Sequence, residues 1–137
     1  MSTHFFGEGN LGGDAEFHEF PNPDDEHAPY RLLRARVYFD NPVRQKDGTF
    51  KDCGGYWSNV ELWHSSAEQW AKLFRKGMRI VVHGKAFTEE WTDGDGRPHV
   101  IDKVDARLMA ILPYRIESVT LARKTSTPAE GSHAEVQ

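Results

Sequence analysis

Alternation of apolar and polar residues at every second position is the feature that most constrains this chain. Leu33, Ala35, Val37 and Phe39 are separated by polar or charged residues. That pattern is typical of a β-strand with one buried face. It recurs at residues 31–39, 56–63, 78–87 and 98–112, with a short possible strand at 116–121. The chain is therefore predicted to be mainly β.

One stretch has helical spacing instead of alternation. Ser65 or Ser66, followed by Glu68 and Gln69, resembles a capping box, and Gly77 is a typical helix end. The pattern predicts one short helix, at about 65–76, between the strands at 56–63 and 78–87. This order of elements predicts an all-β, OB-type, five-stranded Greek-key barrel.

The domain organisation is simple, since 137 residues suit a single domain. We assign residues 1–122 to the barrel. Residues 21–29 are rich in Asp, Glu and Pro and are interpreted as an acidic loop. Residues 123–137 are small and polar and are interpreted as a short flexible tail.

The net charge of -4 is unevenly distributed. Residues 1–30 contain seven acids and no Lys or Arg, whereas residues 31–124 contain all 17 Lys and Arg with 12 acids. The part of the chain that contains the predicted strands is thus mildly basic, although the net charge of the whole chain is negative. Asymmetry of this kind prompts the hypothesis of a nucleic-acid partner.

Composition argues against several other classes. No apolar run approaches the ~18 residues that span a membrane, and we expect neither membrane association nor a secretory signal. Cys53 is the single cysteine, which excludes an intramolecular disulfide, and the seven histidines lack metal-ligand spacing. A nucleophilic role for Cys53 is disfavoured because no oriented base is apparent. We expect a cytoplasmic, nucleoid-associated protein that is not an enzyme and has no cofactor or metal.

Aromatic residues on the predicted strands are the candidates for ligand binding. Trp57 and Trp63 share one face of their strand, opposite Val60 and Leu62. Exposed rings near basic residues suit stacking of unpaired bases. The remaining stacking candidates are Trp91 and Phe87, which could extend this surface, and Phe39 at the mouth of another hairpin. Packing in the core or at a subunit interface remains an alternative for these rings.

Basic residues near those strands are candidates for contacts with phosphates. They are Arg34, Arg36, Lys46, Lys51, Arg79 and Lys85. For any single member of this set, a role in solubility is an equally good interpretation.

Four segments together resemble the bacterial single-stranded DNA-binding protein (SSB) family, over roughly residues 5–112. They are residues 9–16 (GNLGGDAE), 57–63 (WSNVELW), 73–77 with 80–84 (LFRKG and IVVHG), and 90–96 (EWTDGDG). The resemblance implies an OB fold that binds single-stranded DNA without sequence preference and assembles as a homodimer or homotetramer. It also implies that Trp57, Trp63 and Trp91 stack on bases.

The chain departs from that family in ways that bear on function. No tryptophan stands in the first long hairpin, where the family has a further stacking ring; Phe39 is nearby. The acidic tip ending in Pro-Phe, through which the family recruits replication and repair proteins, is absent. The chain therefore looks like a divergent member, of a kind found on mobile elements. The alternative is an OB-fold protein–protein adaptor in replication restart, with weak or no DNA binding.

Overall fold

The computed structural model describes residues 3–124. Within them lie eight strands, one short α-helix and one 3-10 turn. The elements, in chain order, are β1 (Thr3–Leu11), β2 (Glu16–Phe20), β3 (Tyr30–Phe39), β4 (Pro42–Arg44), β5 (Phe50–Asp52), β6 (Tyr56–Trp63), α1 (Ala67–Ala71), β7 (Arg79–Thr92), β8 (Pro98–Ile111) and the 3-10 turn (Pro113–Arg115).

The main sheet closes into a barrel. Its strand order is β1-β7-β8-β6-β3-β2, and an additional β1–β3 pairing closes the ring. β1 pairs with one half of β3, through Gly9–Leu11, and β2 pairs with the other half. The two strands thus act as one bent strand, because both lie antiparallel to β3. The all-β, five-stranded OB-type barrel predicted from the sequence is confirmed, with α1 between its third and fourth strands. β4 and β5 form a separate hairpin.

The core follows the alternation seen in the sequence. Leu33, Ala35, Val37 and Phe39 are all buried, and the intervening Arg34 and Arg36 are not. The other strands contribute Val60, Leu62, Ile80, Val82, Val104 and Ala106. Full burial of one such Val, Leu or Ile side chain contributes about 1.5–3 kcal/mol. The apolar face therefore points into the barrel, and the polar face remains available for ligands.

The helix is shorter than the predicted 65–76. α1 spans Ala67–Ala71, and its N-cap residue, Ser66, makes no side-chain capping bond. The Ser66 backbone N–H instead donates to His64 Nδ1 at 2.9 Å. After Ala71 the chain turns toward the bend between β1 and β2, where Ala15 N–H donates to Phe74 O at 2.9 Å. This tertiary bond replaces the helical continuation that the spacing predicted.

The C-terminal end of the predicted barrel segment differs from the prediction. Residues 116–121, predicted as a possible short strand, have no regular secondary structure. Most of the predicted tail, residues 125–137, lies outside the described residues, so the boundary at 122 remains a prediction. Within residues 3–124 no helix is long and apolar enough to cross a membrane.

The acidic segment 21–29 connects β2 to β3. The Phe20–Tyr30 pair closes its base, and Asn22 Nδ2 donates to Ala28 O at 3.0 Å across it. The three consecutive acids Asp24–Glu26 are exposed at its end. The loop therefore leaves the barrel where β2 ends, at Phe20, and β3 begins, at Tyr30.

Candidate nucleic-acid interface

The outward residues of β6 carry two large rings. Trp57 and Trp63 are 48% and 45% exposed, whereas Ser58, Val60 and Leu62 between them are buried. The outward orientation expected from strand parity is thus observed. The two rings lie six residues apart on the same strand, so the extended backbone separates their attachment points by about 20 Å. That span accommodates several nucleotides of an unpaired strand.

Trp57 lies across the neighbouring strand. Its register partner on β3 is Tyr38, and the two ring centroids are 5.3 Å apart. The guanidinium carbon of Arg36 lies 5.6 Å from the indole centroid, within the range of a cation–π contact. Beside the ring is an open pocket of about 460 Å³, lined partly by Gly12, Arg34, Arg36 and Asn59. A ring, two guanidinium groups and an amide therefore converge on one concave surface.

Trp63 belongs to a cluster of aromatic side chains at the other end of β6. Phe20 and Tyr30 lie 5.8 and 6.4 Å from it, centroid to centroid, and both are exposed. Leu32 pairs with Trp63 in the register and is fully buried although it has outward parity. Sequence reasoning missed Phe20 and Tyr30. The available signal was their position at the two ends of the acidic loop.

Trp91 and Phe87 lie on the long β7–β8 hairpin. Trp91 is 44% exposed, and one face of its ring stacks on His99 at a centroid distance of 4.4 Å and an interplanar angle of 18°. His99 in turn donates to Asp93 across 2.7 Å. This hydrogen bond is the main reason that the pKa of Asp93 lies below its ordinary value. The second face of the indole is thereby left for a ligand.

The hairpin and β6 present one continuous surface. Lys103 on β8 pairs with Phe87 on β7 and with Asn59 on β6. Paired residues project from the same side of a sheet, so Phe87 shares a side with Asn59 and thus with Trp57 and Trp63. We call this surface the outer face: the outward side chains of β3, β6, β8 and the β7–β8 hairpin.

The basic residues of the outer face are partly neutralised by the protein itself. Glu61, 6% exposed, accepts from Arg34 Nη2 at 3.4 Å and from Lys103 Nζ at 3.3 Å. Lys103 also donates to Glu89 at 2.7 Å, and this bond is the main reason that its pKa is raised. Two of the basic side chains of the outer face, Arg34 and Lys103, are therefore already paired with carboxylates of the protein.

Two site predictions from the sequence are wrong. Phe39 was a candidate for stacking, but it is 4% exposed and its ring packs on Phe5, 4.8 Å away between centroids. It belongs to the core because it has the same strand parity as the buried residues of β3.

Arg79 was a candidate for a phosphate contact, but its guanidinium binds carboxylates. It donates to both oxygens of Asp40 at 2.9 Å and to Glu8 at 2.7 Å, and its side chain is 17% exposed. The hydrogen bonds that Arg79 donates to Asp40 are the main reason that the pKa of Arg79 is raised. Arg79 thus joins β7 to β1 and β3 within the barrel wall.

The other predicted phosphate contacts are at the surface. Lys46 and Lys51 are exposed on the β4–β5 hairpin. Lys85 is exposed on β7 and lines an open groove of about 780 Å³ together with Trp63, His64 and Arg107. Arg34 and Arg36 project from β3 on the outer face. Among residues 3–124, no three His, Cys, Asp or Glu side chains are grouped in a way that could hold a metal ion.

Comparison with known protein families decides the assignment. The model of the single-strand binding protein (SSB) family matches residues 3–112. The chain belongs to the SSB family. The matched range contains every residue of the outer face, and it supports the resemblance seen in the four sequence segments.

Solved structures of SSB proteins are similar in fold. The small single-stranded DNA-binding protein from Streptomyces coelicolor has a TM-score of 0.64 at 14% identity, over 81% of this chain and 94% of that one. The Plasmodium falciparum SSB, in complex with single-stranded DNA, has a TM-score of 0.60 at 14% identity, over 80% and 94%.

A third structure is a deletion mutant of the Thermus aquaticus protein. It has a TM-score of 0.58 at 21% identity and is matched over 84% of this chain but 52% of its own length. At these identities the three likenesses concern the fold alone.

Proposed function

We propose that the outer face binds single-stranded DNA, with little sequence preference and without catalysis. The observation that carries the proposal is the presence of Trp57, Trp63 and Trp91, each half exposed, on one continuous surface. Membership of the SSB family supports it. Because every base has a π-face, stacking on such rings tolerates any sequence.

Stacking dominates the expected affinity. Each stacked base is worth about 1–3 kcal/mol, so three rings contribute several kcal/mol even before phosphate contacts are counted. Arg36 and Lys85 are positioned to neutralise phosphates, and Lys46 and Lys51 can do so from the β4–β5 hairpin. Since Glu61 and Glu89 pair with two cations of the face, we expect a salt dependence that is shallower than the number of basic residues suggests.

Titration with oligo-dT tests the proposal. Binding should quench tryptophan fluorescence and should weaken as salt rises. Trp57→Ala, Trp63→Ala and Trp91→Ala should each lower affinity while the thermal unfolding midpoint is retained. Tyr114→Ala is the control, since it removes a ring that is 70% exposed on the 3-10 turn, outside the four strand segments of the face. Unchanged fluorescence and unchanged affinity in all three tryptophan variants would contradict the proposal.

A second candidate function is a protein–protein adaptor. The acidic loop 21–29 leaves the barrel beside Trp63, and carboxylates there disfavour a phosphate backbone. An adaptor would show no mobility shift with labelled single strands and would co-purify with a replication factor. A shift at submicromolar protein would decide for DNA.

The biological setting is proposed on family membership. We propose a homo-oligomer, dimer or tetramer, acting in the cytoplasm at the nucleoid in replication, recombination and repair, or conjugative transfer. Light scattering with and without oligo-dT measures the number of chains and shows whether DNA changes it. A monomer in both conditions would contradict the oligomer.

A further inference from the structure

The indole of Trp57 reaches a residue that has no side chain. Its distal edge lies over Gly12, at the bend between β1 and β2. A Cβ placed on Gly12 would lie 2.4 Å from Cζ3 and 2.7 Å from Cη2 of the indole. Carbon atoms that are not bonded do not approach so closely, since their attractive contact distance is about 3.5–4.0 Å. A side chain at position 12 and the present placement of the ring therefore exclude each other.

The backbone at Gly12 is held in place, so it is the ring that would move. Gly12 N–H donates to Arg36 O at 2.9 Å, and the preceding Leu11 N–H donates to Met78 O at 2.9 Å. Two residues further on, Asp14 accepts from the Lys76 N–H at 2.9 Å. These bonds join the bend to β3 and to the segment after α1. The indole, in contrast, is the half-exposed end of a rotatable side chain.

The glycine is also not required by the backbone conformation. The glycines with positive φ among residues 3–124 are Gly48, Gly54, Gly77 and Gly96, so Gly12 has a conformation open to alanine. The space that it leaves for Trp57 is thus the physical consequence of its missing Cβ. Gly13, its neighbour, has no heavy atom within 4 Å of an added Cβ.

We infer that Gly12 is a positioning residue for DNA binding, which rests on the proposed function. Its bare Cα lets the indole lie across β3, next to Tyr38 and Arg36. In that position the ring forms one side of the pocket that Arg34 and Asn59 also line. A base stacked there is within reach of both guanidinium groups. A Cβ at position 12 displaces the ring and separates the stacking surface from these donors.

The test compares two adjacent glycines. Gly12→Ala should weaken oligo-dT binding roughly fivefold or more, the lower limit for losing one stacked base. It should also change the near-ultraviolet circular dichroism of the tryptophans. Gly13→Ala adds the same methyl group to the lining of the same pocket but without contact with the indole, so it should lower affinity less than Gly12→Ala and should leave the tryptophan circular dichroism unchanged. Equal affinity of the two variants, with Trp57→Ala impaired, overturns the inference and leaves the proposed function standing.

A double-mutant cycle separates positioning from a general structural effect. In the Trp57→Ala background, Gly12→Ala should cause no further loss, because the ring that it displaces is gone. An additional loss of the same size there shows that Gly12 acts by another route and overturns the inference. If Trp57→Ala itself binds normally, the inference and this part of the proposed function both fail.

A second variant keeps the test decisive if Gly12→Ala unfolds. Trp57→Phe shortens the ring and leaves room at position 12, so Gly12→Ala with Trp57→Phe should fold and should bind like Trp57→Phe alone. A double variant that is as unstable as Gly12→Ala contradicts the inference, since the clash with the indole would then not be the cause.

Discussion

The buried carboxylate of Glu61 offers the sharpest test of how charge is arranged on the outer face. It lies at the centre of β6 and accepts from Arg34 on one side and Lys103 on the other. Glu61→Gln retains the shape and the acceptor oxygen but removes the negative charge. Lys103 keeps its bond to Glu89 at 2.7 Å, so Arg34 is the cation chiefly released.

The expected magnitudes follow from those contacts. One cation that becomes free to neutralise one phosphate steepens the dependence of log K on log salt by about 0.7 for a single strand. Formation of a partly exposed ion pair contributes about 0.2–1 kcal/mol, so binding at low salt should tighten by about 1.4- to 5-fold. The free energy of unfolding should fall by about 1–2 kcal/mol, because two hydrogen bonds between opposite charges become bonds from a cation to a neutral amide oxygen.

Fluorescence titrations with oligo-dT at four or more salt concentrations measure the slope directly. Glu117→Gln is the matched control, since it makes the same charge change outside the barrel strands. A Glu61→Gln slope equal to that of Glu117→Gln would refute the idea that internal ion pairs mask the basic residues. Weaker binding at all salts would show that Glu61 instead holds Arg34 in its binding position.

Three further predictions concern stability, the acidic loop and pH. Arg79→Ala removes a guanidinium that binds two carboxylates, so chemical denaturation should show that the free energy of unfolding falls by about 2 kcal/mol or more. The affinity for oligo-dT should stay within about twofold of the parent. Weaker binding with unchanged stability would instead favour a contact between Arg79 and a phosphate. Replacing loop 21–29 by a short neutral turn should tighten DNA binding at low salt, because its carboxylates repel phosphates; unchanged affinity would remove the loop from the binding surface. The hydrogen bond from His99 lowers the pKa of Asp93. The contact therefore stabilises the hairpin tip at pH values above the ordinary aspartate pKa, and this stabilisation is lost as pH falls through the lowered pKa of Asp93. The nuclear magnetic resonance signal of Trp91 should therefore change at acidic pH in the parent and not in Asp93→Asn.

Local pattern predicted which way most side chains face. Trp57 and Trp63 are exposed, and Val60 and Leu62 are buried, as strand parity requires. The same parity places Phe39 in the core. Nearness to a hairpin, on which the stacking prediction for Phe39 depends, does not decide the direction of a side chain, whereas the alternation of its own strand does.

Pairings between distant residues could not be predicted in this way. Arg79 meets Asp40 and Glu8, which are 39 and 71 residues away in the chain. A basic residue on a strand looks the same in the sequence whether it faces solvent or a carboxylate on the opposite strand. For this reason the predicted list of phosphate contacts contained a residue that is part of the barrel wall.

The sequence by itself determined the barrel class, the helix position and the outward direction of the tryptophans, because each depends on spacing along a few neighbouring residues. Tertiary structure alone decided the length of α1, where bonds to the β1–β2 bend replaced helical ones. It also decided that Trp57 lies over Gly12 and that Phe20 and Tyr30 join Trp63. These contacts arise from barrel closure, which brings distant strands together, and no local pattern records which strands become neighbours.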